Sequence, residues 1–263
     1  MKHHKVGNIR SKHKQLIQQD CQNKILQADV LQWTLQHHLI CGSTEQEIDE
    51  GLKLICCLQS LESKNFPYAV IASRQRFSYG QNNRRWESPP GGIWLSAAFP
   101  WSYDQSVTSL TLAVIEGLSL QLENLGVPVQ FKWPNDLIVN RRKLIGILPR
   151  LSIRGDNLCI AKVGIGLNVN NISPSEGINL CDILNLHIID LDGVIARVLR
   201  GLEWAIFNAH KKEFIRQSVQ TRLIGLGKPF PYKGLIWKVI GIDTKGGIAL
   251  RRGYNTSICT RSL

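Results

Sequence analysis

With 263 residues, 43% of them hydrophobic and 20% charged, the chain is long enough to bury a full core, and its composition is that of an ordinary globular protein. No apolar run approaches the roughly 18 residues that span a bilayer, and the basic N-terminus lacks the apolar stretch of a secretory leader, so a cytoplasmic protein is expected. A net charge of +12 favours a polyanion, an acidic protein partner or a plain solvated surface without choosing among them. The seven cysteines include no CxxC pair and no histidine at zinc-finger spacing, and they read as reduced, mostly buried small hydrophobes.

Residues 1–40 are rich in Lys, His and Gln and read as a disordered basic tail. It leads into one short amphipathic docking segment (Ile25, Leu26, Val30, Leu31, Trp33, Leu35), too short for a helix-turn-helix or winged-helix domain. A helix is predicted from Ser43 and Thr44. Thr44 and Glu47 have capping-box spacing, and Ile48, Leu52, Ile55, Leu58 and Leu61 follow on one face. Residues 68–72 and 93–99 read as buried strands.

Between those strands lies RQRFSYGQNNRRWESPPGG, with Arg74, Arg76, Arg84 and Arg85 and no acid before Glu87. Rigid flanking strands can hold such a loop in place, as a nucleic-acid patch, a phosphate cradle or a solvated connection. Residues 107–125 predict a buried helix stopped at Gly126. Short strands at 129–132, 137–139 and 144–148 follow, joined by turns at Pro134-Asn135-Asp136 and Asn140-Arg141-Arg142. Residues 158–169 read as a strand and 192–218 as one long helix. From about Gly225 the texture is that of a small antiparallel barrel.

No GxxxxGK[ST] loop and no GxGxxG after a strand is present, so phosphates would need another device. The most specific stretch is KWPNDLIVNRRKLIGIL. Lys143 follows a turn and heads an apolar strand, where a lysine can be held rigidly and partly desolvated to neutralise charge on phosphate or acyl oxygens. On the residue alone, the position better suits a lysine snorkelling at a hairpin edge.

KWPNDL and KLIGIL, followed by GIGLNVN, resemble the catalytic domain of biotin–protein ligases. The arginine loop falls where that family carries its biotinyl-adenylate loop, RRWESPPGGIWLS continues the match, and Ser43-Thr44 stands where the family has Ser-Thr-Asn. The resemblance covers residue 40 to the end. It implies an α+β fold: a mixed β-sheet with helices packed on it, class II synthetase-like, plus a small C-terminal SH3-like β-barrel. The domains would be a basic extension at 1–40, a biotin- and ATP-binding domain at 41–223 and the barrel at 224–263.

The implied reaction joins biotin to ATP, with Mg2+, as biotinyl-5'-AMP. The biotinyl group then passes to a lysine on the biotin carboxyl carrier protein of acetyl-CoA carboxylase. By resemblance, Lys143 would touch the biotin carboxylate and the α-phosphate. Arg84 would contact phosphate, and Asp136 would orient or deprotonate the incoming lysine. Ser43, Thr44 and Gln75 would bind the ureido head, with Glu45, Tyr79, Gly80, Gln81 and Gly146 completing the biotin site. Trp86, Asn135, Asn168 and Arg261 would serve the nucleotide, and no protein metal ligands are expected. Neither nucleic acid nor membrane is an expected partner, and the protein would be a monomer or homodimer.

The chain departs from the family pattern in places. SYGQNNR replaces a loop close to GRGRRGR or GRGRxNR, so Tyr79 and Gln81 stand where arginines are usual. Glu45 stands for the usual Asn, and Pro149-Arg150 for an apolar-Glu pair. A lipoate or octanoyl ligase or transferase of the same superfamily, and a catalytically impaired biotin-binding protein, are the alternative readings.

Overall fold

The computed structural model describes residues 6–22, 31–57, 66–81, 84–102, 106–154 and 158–260. Seven strands form one sheet: β1 (Thr34–His38), β2 (Tyr68–Ala72), β3 (Ile93–Trp101), β4 (Gln130–Lys132), β5 (Asp136–Val139), β6 (Arg142–Arg154) and β7 (Leu158–Leu167). Their order is β1-β2-β3-β7-β6-β5-β4. β1 pairs β2 in parallel and the other neighbours are antiparallel, so the sheet is mixed, as the sequence leads one to expect.

The alternation of side chains along these strands builds a layer on each face. Val70, Ala98 and Ile160 meet Ile48 and Leu52 of α2 (Thr44–Cys57). Ala69, Ile71, Leu95 and Ala97 turn to the other face and join the larger core, which holds α3 (Val107–Glu123) and α5 (Leu191–Asn208). α3 is apolar around most of its circumference because it is covered on most sides. Ser106 caps it, accepting from Ser109 N at 3.1 Å. Gly117 lies against Gly201 of α5 so closely that a Cβ on it would come within 2.0 Å of the Gly201 carbonyl oxygen. A short α4 (Leu180–Leu184) precedes α5.

Three sequence expectations change. Part of the expected disordered tail is helix α1 (Val6–Gln22), with Ile9 and Ile17 buried against α5. Its polar composition hides a narrow apolar stripe. Ile25, Leu26 and Val30 lie outside the described residues, as do Leu58 and Leu61 of the predicted α2 face.

The single helix expected over 192–218 is two, α5 and α6 (Lys212–Thr221). Asn208 folds its amide back to the Trp204 carbonyl at 2.9 Å, and the chain turns. That turn lets Ile215 and Val219 bury against the core.

β6 runs well beyond 148, through Pro149, because β7 pairs it from Ile145 to Arg154. Its pairing with β5 ends at Gly146, so no hydrogen bond is asked of the missing Pro149 N–H on that side.

A separate four-stranded antiparallel sheet closes the chain: β8 (Pro229–Tyr232), β9 (Leu235–Ile242), β10 (Ile248–Arg252) and β11 (Asn255–Cys259), in the order β11-β10-β9-β8. Val239, Ile242, Ile248 and Leu250 continue the main core, so this module packs on the larger one. Trp133 Nε1 donates to the Gly246 carbonyl at 3.1 Å, which ties the β9–β10 turn to the β4–β5 turn. Among the described residues no helix is long and apolar enough to cross a membrane.

Candidate active site

A cavity of about 440 Å³ opens over the middle of the large sheet. Ser43, Thr44 and Glu45 reach it from the start of α2, and Gln75, Tyr79, Gly80, Gln81, Arg84 and Trp86 from the β2–β3 loop. Asn135 and Asp136 come from the β4–β5 turn, and Lys143 and Gly146 from β6. Asn168 is not among the lining residues. It is buried beside the root of β6, where its Nδ2 lies 3.4 Å from the Lys143 carbonyl and its Oδ1 accepts from Asn171 Nδ2 at 2.9 Å. Arg261 lies outside the described residues.

One end of the cavity is a hydroxyl and carboxylate cluster. Ser43 is the working cap of α2, accepting from Glu45 N at 3.2 Å. Thr44, which the sequence spacing makes the cap, instead turns its hydroxyl to Gln75 Oε1 at 3.0 Å, and its backbone N–H donates to the same oxygen at 2.7 Å. Gln75 Nε2 in turn donates to Ser88 Oγ at 2.9 Å, which fixes the amide's orientation. Ser96 donates to Glu45 Oε1 at 2.7 Å and lies 2.8 Å from Thr44 Oγ1. Cys41, just ahead of this segment, is buried, and burial followed by the nearby Glu47 charge pushes its thiol up to about 11. Such a shift favours the neutral thiol over the thiolate at neutral pH.

The other end carries the charges. Lys143 Nζ touches Asp136 Oδ1 at 2.7 Å, an ion pair without an aligned hydrogen bond, and it stands 4.7 Å from the Trp86 ring centroid. Gly146 and Gly166 face each other across β6 and β7 and form a floor beneath that ring. A Cβ on Gly166 would come within 2.7 Å of Trp86, and one on Gly146 within 2.9 Å. The indole Nε1 is buried without a hydrogen-bond partner, a donor available to a ligand. The β2–β3 loop folds as a small hairpin, with Tyr79 bridging Arg85 and Gly80 N donating to the Arg84 carbonyl at 2.7 Å. Arg84 and Arg85 stay exposed at its rim.

Sequence reasoning missed Ser96, Gly164 and Gly166 as cavity residues. The signal was present: two glycines spaced two apart in one strand share a face, and bare backbone on one face leaves room for a ligand or a large ring. Among the described residues no three His, Cys, Asp or Glu side chains gather as metal ligands would.

Residues 57–170 match the Biotin/lipoate A/B protein ligase family. The chain is 29% identical over 245 residues to the bifunctional ligase/repressor BirA of Bacillus subtilis, which covers 86% of this chain and 71% of that one. It is 35% identical over 107 residues to the chloroplastic biotin–protein ligase 1 of Arabidopsis thaliana, 38% of this chain and 29% of the relative. Among solved structures, the biotin protein ligase of Aquifex aeolicus in complex with biotin and ATP superposes with a TM-score of 0.68 at 23% identity, over 86% of this chain and 94% of that one. At that identity the match establishes the fold.

Proposed function

We propose, from the match of residues 57–170 to the biotin/lipoate A/B protein ligase family, that this cavity activates biotin with ATP and hands the biotinyl group to a lysine of a carrier domain. The observation that carries the reading is Lys143 held between Asp136 and the Trp86 ring, at one end of a cavity whose other end is lined with hydroxyls, the Gln75 amide and the Glu45 carboxylate.

In the first step an oxygen of the biotin carboxylate attacks the α-phosphorus of ATP. The bond to the β-phosphate oxygen breaks and pyrophosphate leaves. Lys143 draws the two anionic reactants together and neutralises charge on the α-phosphate as it develops. Arg84, at the rim, serves the phosphates, and Trp86 offers its ring to adenine. Magnesium fits as the counter-ion of the nucleotide: the ion is seldom held in an all-protein cage, and Asp136 is the carboxylate at this end of the cavity.

In the second step the carrier lysine attacks the acyl carbon, AMP departs, and the proton on the amine passes to Asp136. Ser43, Thr44, Glu45 and Gln75 hold the ureido head meanwhile, with Tyr79, Gly80, Gln81 and Gly146 against the rest of biotin. Asn135 steadies the turn, its Nδ2 donating to the Ile147 carbonyl at 2.6 Å, and faces the adenylate. The carrier is the biotin carboxyl carrier protein of acetyl-CoA carboxylase. The large module is class II synthetase-like, and the C-terminal sheet is an SH3-like barrel.

Radiolabelled biotin, Mg-ATP and the purified carrier domain test this directly. Label on the carrier is the expected result. Label from lipoate or octanoate but not from biotin overturns it, and binding of biotin without turnover points to the impaired form.

A further inference from the structure

We propose that Arg150 is a positioning residue for substrate choice: it holds the buried Glu45 carboxylate in an ion pair at the cavity wall, where that carboxylate accepts an N–H from the ureido ring. The pocket thereby selects acids with an N–H-bearing head. This rests on the functional reading above and deepens it.

The geometry begins in two elements. α2 places Glu45 and Asp49 four residues apart on one helix face. β6 and β7 place Arg150 directly opposite Lys162. Two cations facing each other across a strand pair repel, as do two carboxylates one helical turn apart. Interleaved, the four form a neutral set. Arg150 Nη2 pairs with Glu45 Oε2 and lies 3.9 Å from Asp49 Oδ2, and Lys162 Nζ lies 2.7 Å from Asp49 Oδ1. Burial works against the Arg150 charge, but the Glu45 and Asp49 carboxylates and the hydrogen bond to Glu45 more than reverse that, and the guanidinium ends above its ordinary range.

Glu45 stands between this guanidinium and the cavity. It lines the cavity and Arg150 does not. Its side chain is only 6% exposed. Gly164 makes room for it, since a Cβ there would come within 2.6 Å of Oε1. A carboxylate only accepts, at about four lone-pair positions. The Ser96 hydroxyl and Arg150 occupy part of that capacity, and the remainder suits a donor from the cavity. A ureido ring brings two N–H groups, whereas a dithiolane or an alkyl chain brings none and would leave the carboxylate desolvated and unmatched.

Both positions also depart from the family pattern, Glu for Asn and Arg for Glu, and across 105 residues of sequence they meet. An amide at position 45 needs no counter-charge. A buried carboxylate there does.

Pyrophosphate release by the full chain, with biotin and ATP varied separately, is the test. Arg150→Met should raise the biotin KM by about tenfold or more while the ATP KM and kcat stay within about twofold, because the lost contact serves one substrate. Arg150→Lys should restore most of the loss. Glu45→Gln combined with Arg150→Met, neutral on both sides, should keep the wild-type Tm and bind biotin better than Arg150→Met alone. An unchanged biotin KM in Arg150→Met, equal movement of both KM values, or a double variant no better than the single one overturns this inference alone. Absence of biotin-dependent pyrophosphate release by the wild type overturns the functional reading and this inference with it.

Discussion

At the scale of single residues, the site is a set of side chains with few alternatives. Lys143 is the cavity cation held by both a carboxylate and a ring, with Asp136 at 2.7 Å and Trp86 at 4.7 Å. Lys143→Ala should lower the adenylation rate by roughly 1,000-fold, as removal of a preorganised charge stabiliser does. Its side chain is about one-third exposed at a turn, so the Tm should move little; a rate within tenfold of wild type would reject the assignment. The Trp86 floor makes a second case. Gly166→Ala drives a methyl to 2.7 Å from the indole, and the ring must lift. An ATP KM raised several-fold with the biotin KM unchanged is the expected result, read in the same pyrophosphate assay, and equal changes in both would place Trp86 elsewhere than at the nucleotide. Much of this site was legible before the structure, because the residues sit in short contiguous motifs. The pairing of Glu45 with Arg150 was not, since 105 residues separate them and only folding brings α2 over β6.

At the scale of elements, the strands and helices nearest the site follow from pattern, and the misjudged ones follow from partners. The runs at 68–72 and 93–99 are apolar and become central strands β2 and β3. The length of β6 could not be read, because its extension past Pro149 depends on β7 alone. The α5–α6 break was likewise missed: the apolar spacing stops near Phe207 and resumes at Phe214 and Ile215, and Asn208 folds its amide back to the Trp204 carbonyl at the break. Helix α3 carries the element-scale prediction. Intrinsic propensity favours Ala over Gly in a helix interior by about 1 kcal/mol. At Gly117 the Cβ would come within 2.0 Å of the Gly201 carbonyl oxygen, so α3 and α5 must separate. Gly117→Ala should therefore destabilise, by about 1–3 kcal/mol in urea unfolding, the steric cost exceeding the propensity gain. A stabilised variant would mean that the two helices pack more loosely than this contact implies.

At the scale of the whole molecule, two attachments decide whether the catalytic sheet stands alone. The C-terminal module is held through shared core and the Trp133–Gly246 bond, so the turn that carries Asp136 also bears the contact with that module. The N-terminal helix shares that core through Ile9 and is held by buried charge as well. Arg200, 1% exposed, donates to Asp20 of α1 from Nε at 3.0 Å and Nη2 at 2.9 Å, and pairs with Glu203 through Nη1. Glu203 also accepts from Trp33 Nε1 at 3.0 Å and lies 3.0 Å from His13 Nε2. Such a cluster adds little net stability when complete, yet removing Asp20 withdraws the acceptor of two guanidinium hydrogen bonds and leaves Arg200 with Glu203 alone, at a cost of about 1–3 kcal/mol. Asp20→Ala should therefore lower the Tm by about 2–12 °C for a chain of this size. The cluster lies on the α5 face of the sheet, away from the cavity, so kcat and both KM values measured well below the transition should stay within about twofold of wild type. An unchanged Tm would mean that α1 is not fixed to α5 by this pairing. A lowered kcat at an unchanged Tm would mean that α1 reaches the chemistry through the sheet, and the basic N-terminal segment would then belong to the catalytic unit rather than to its support.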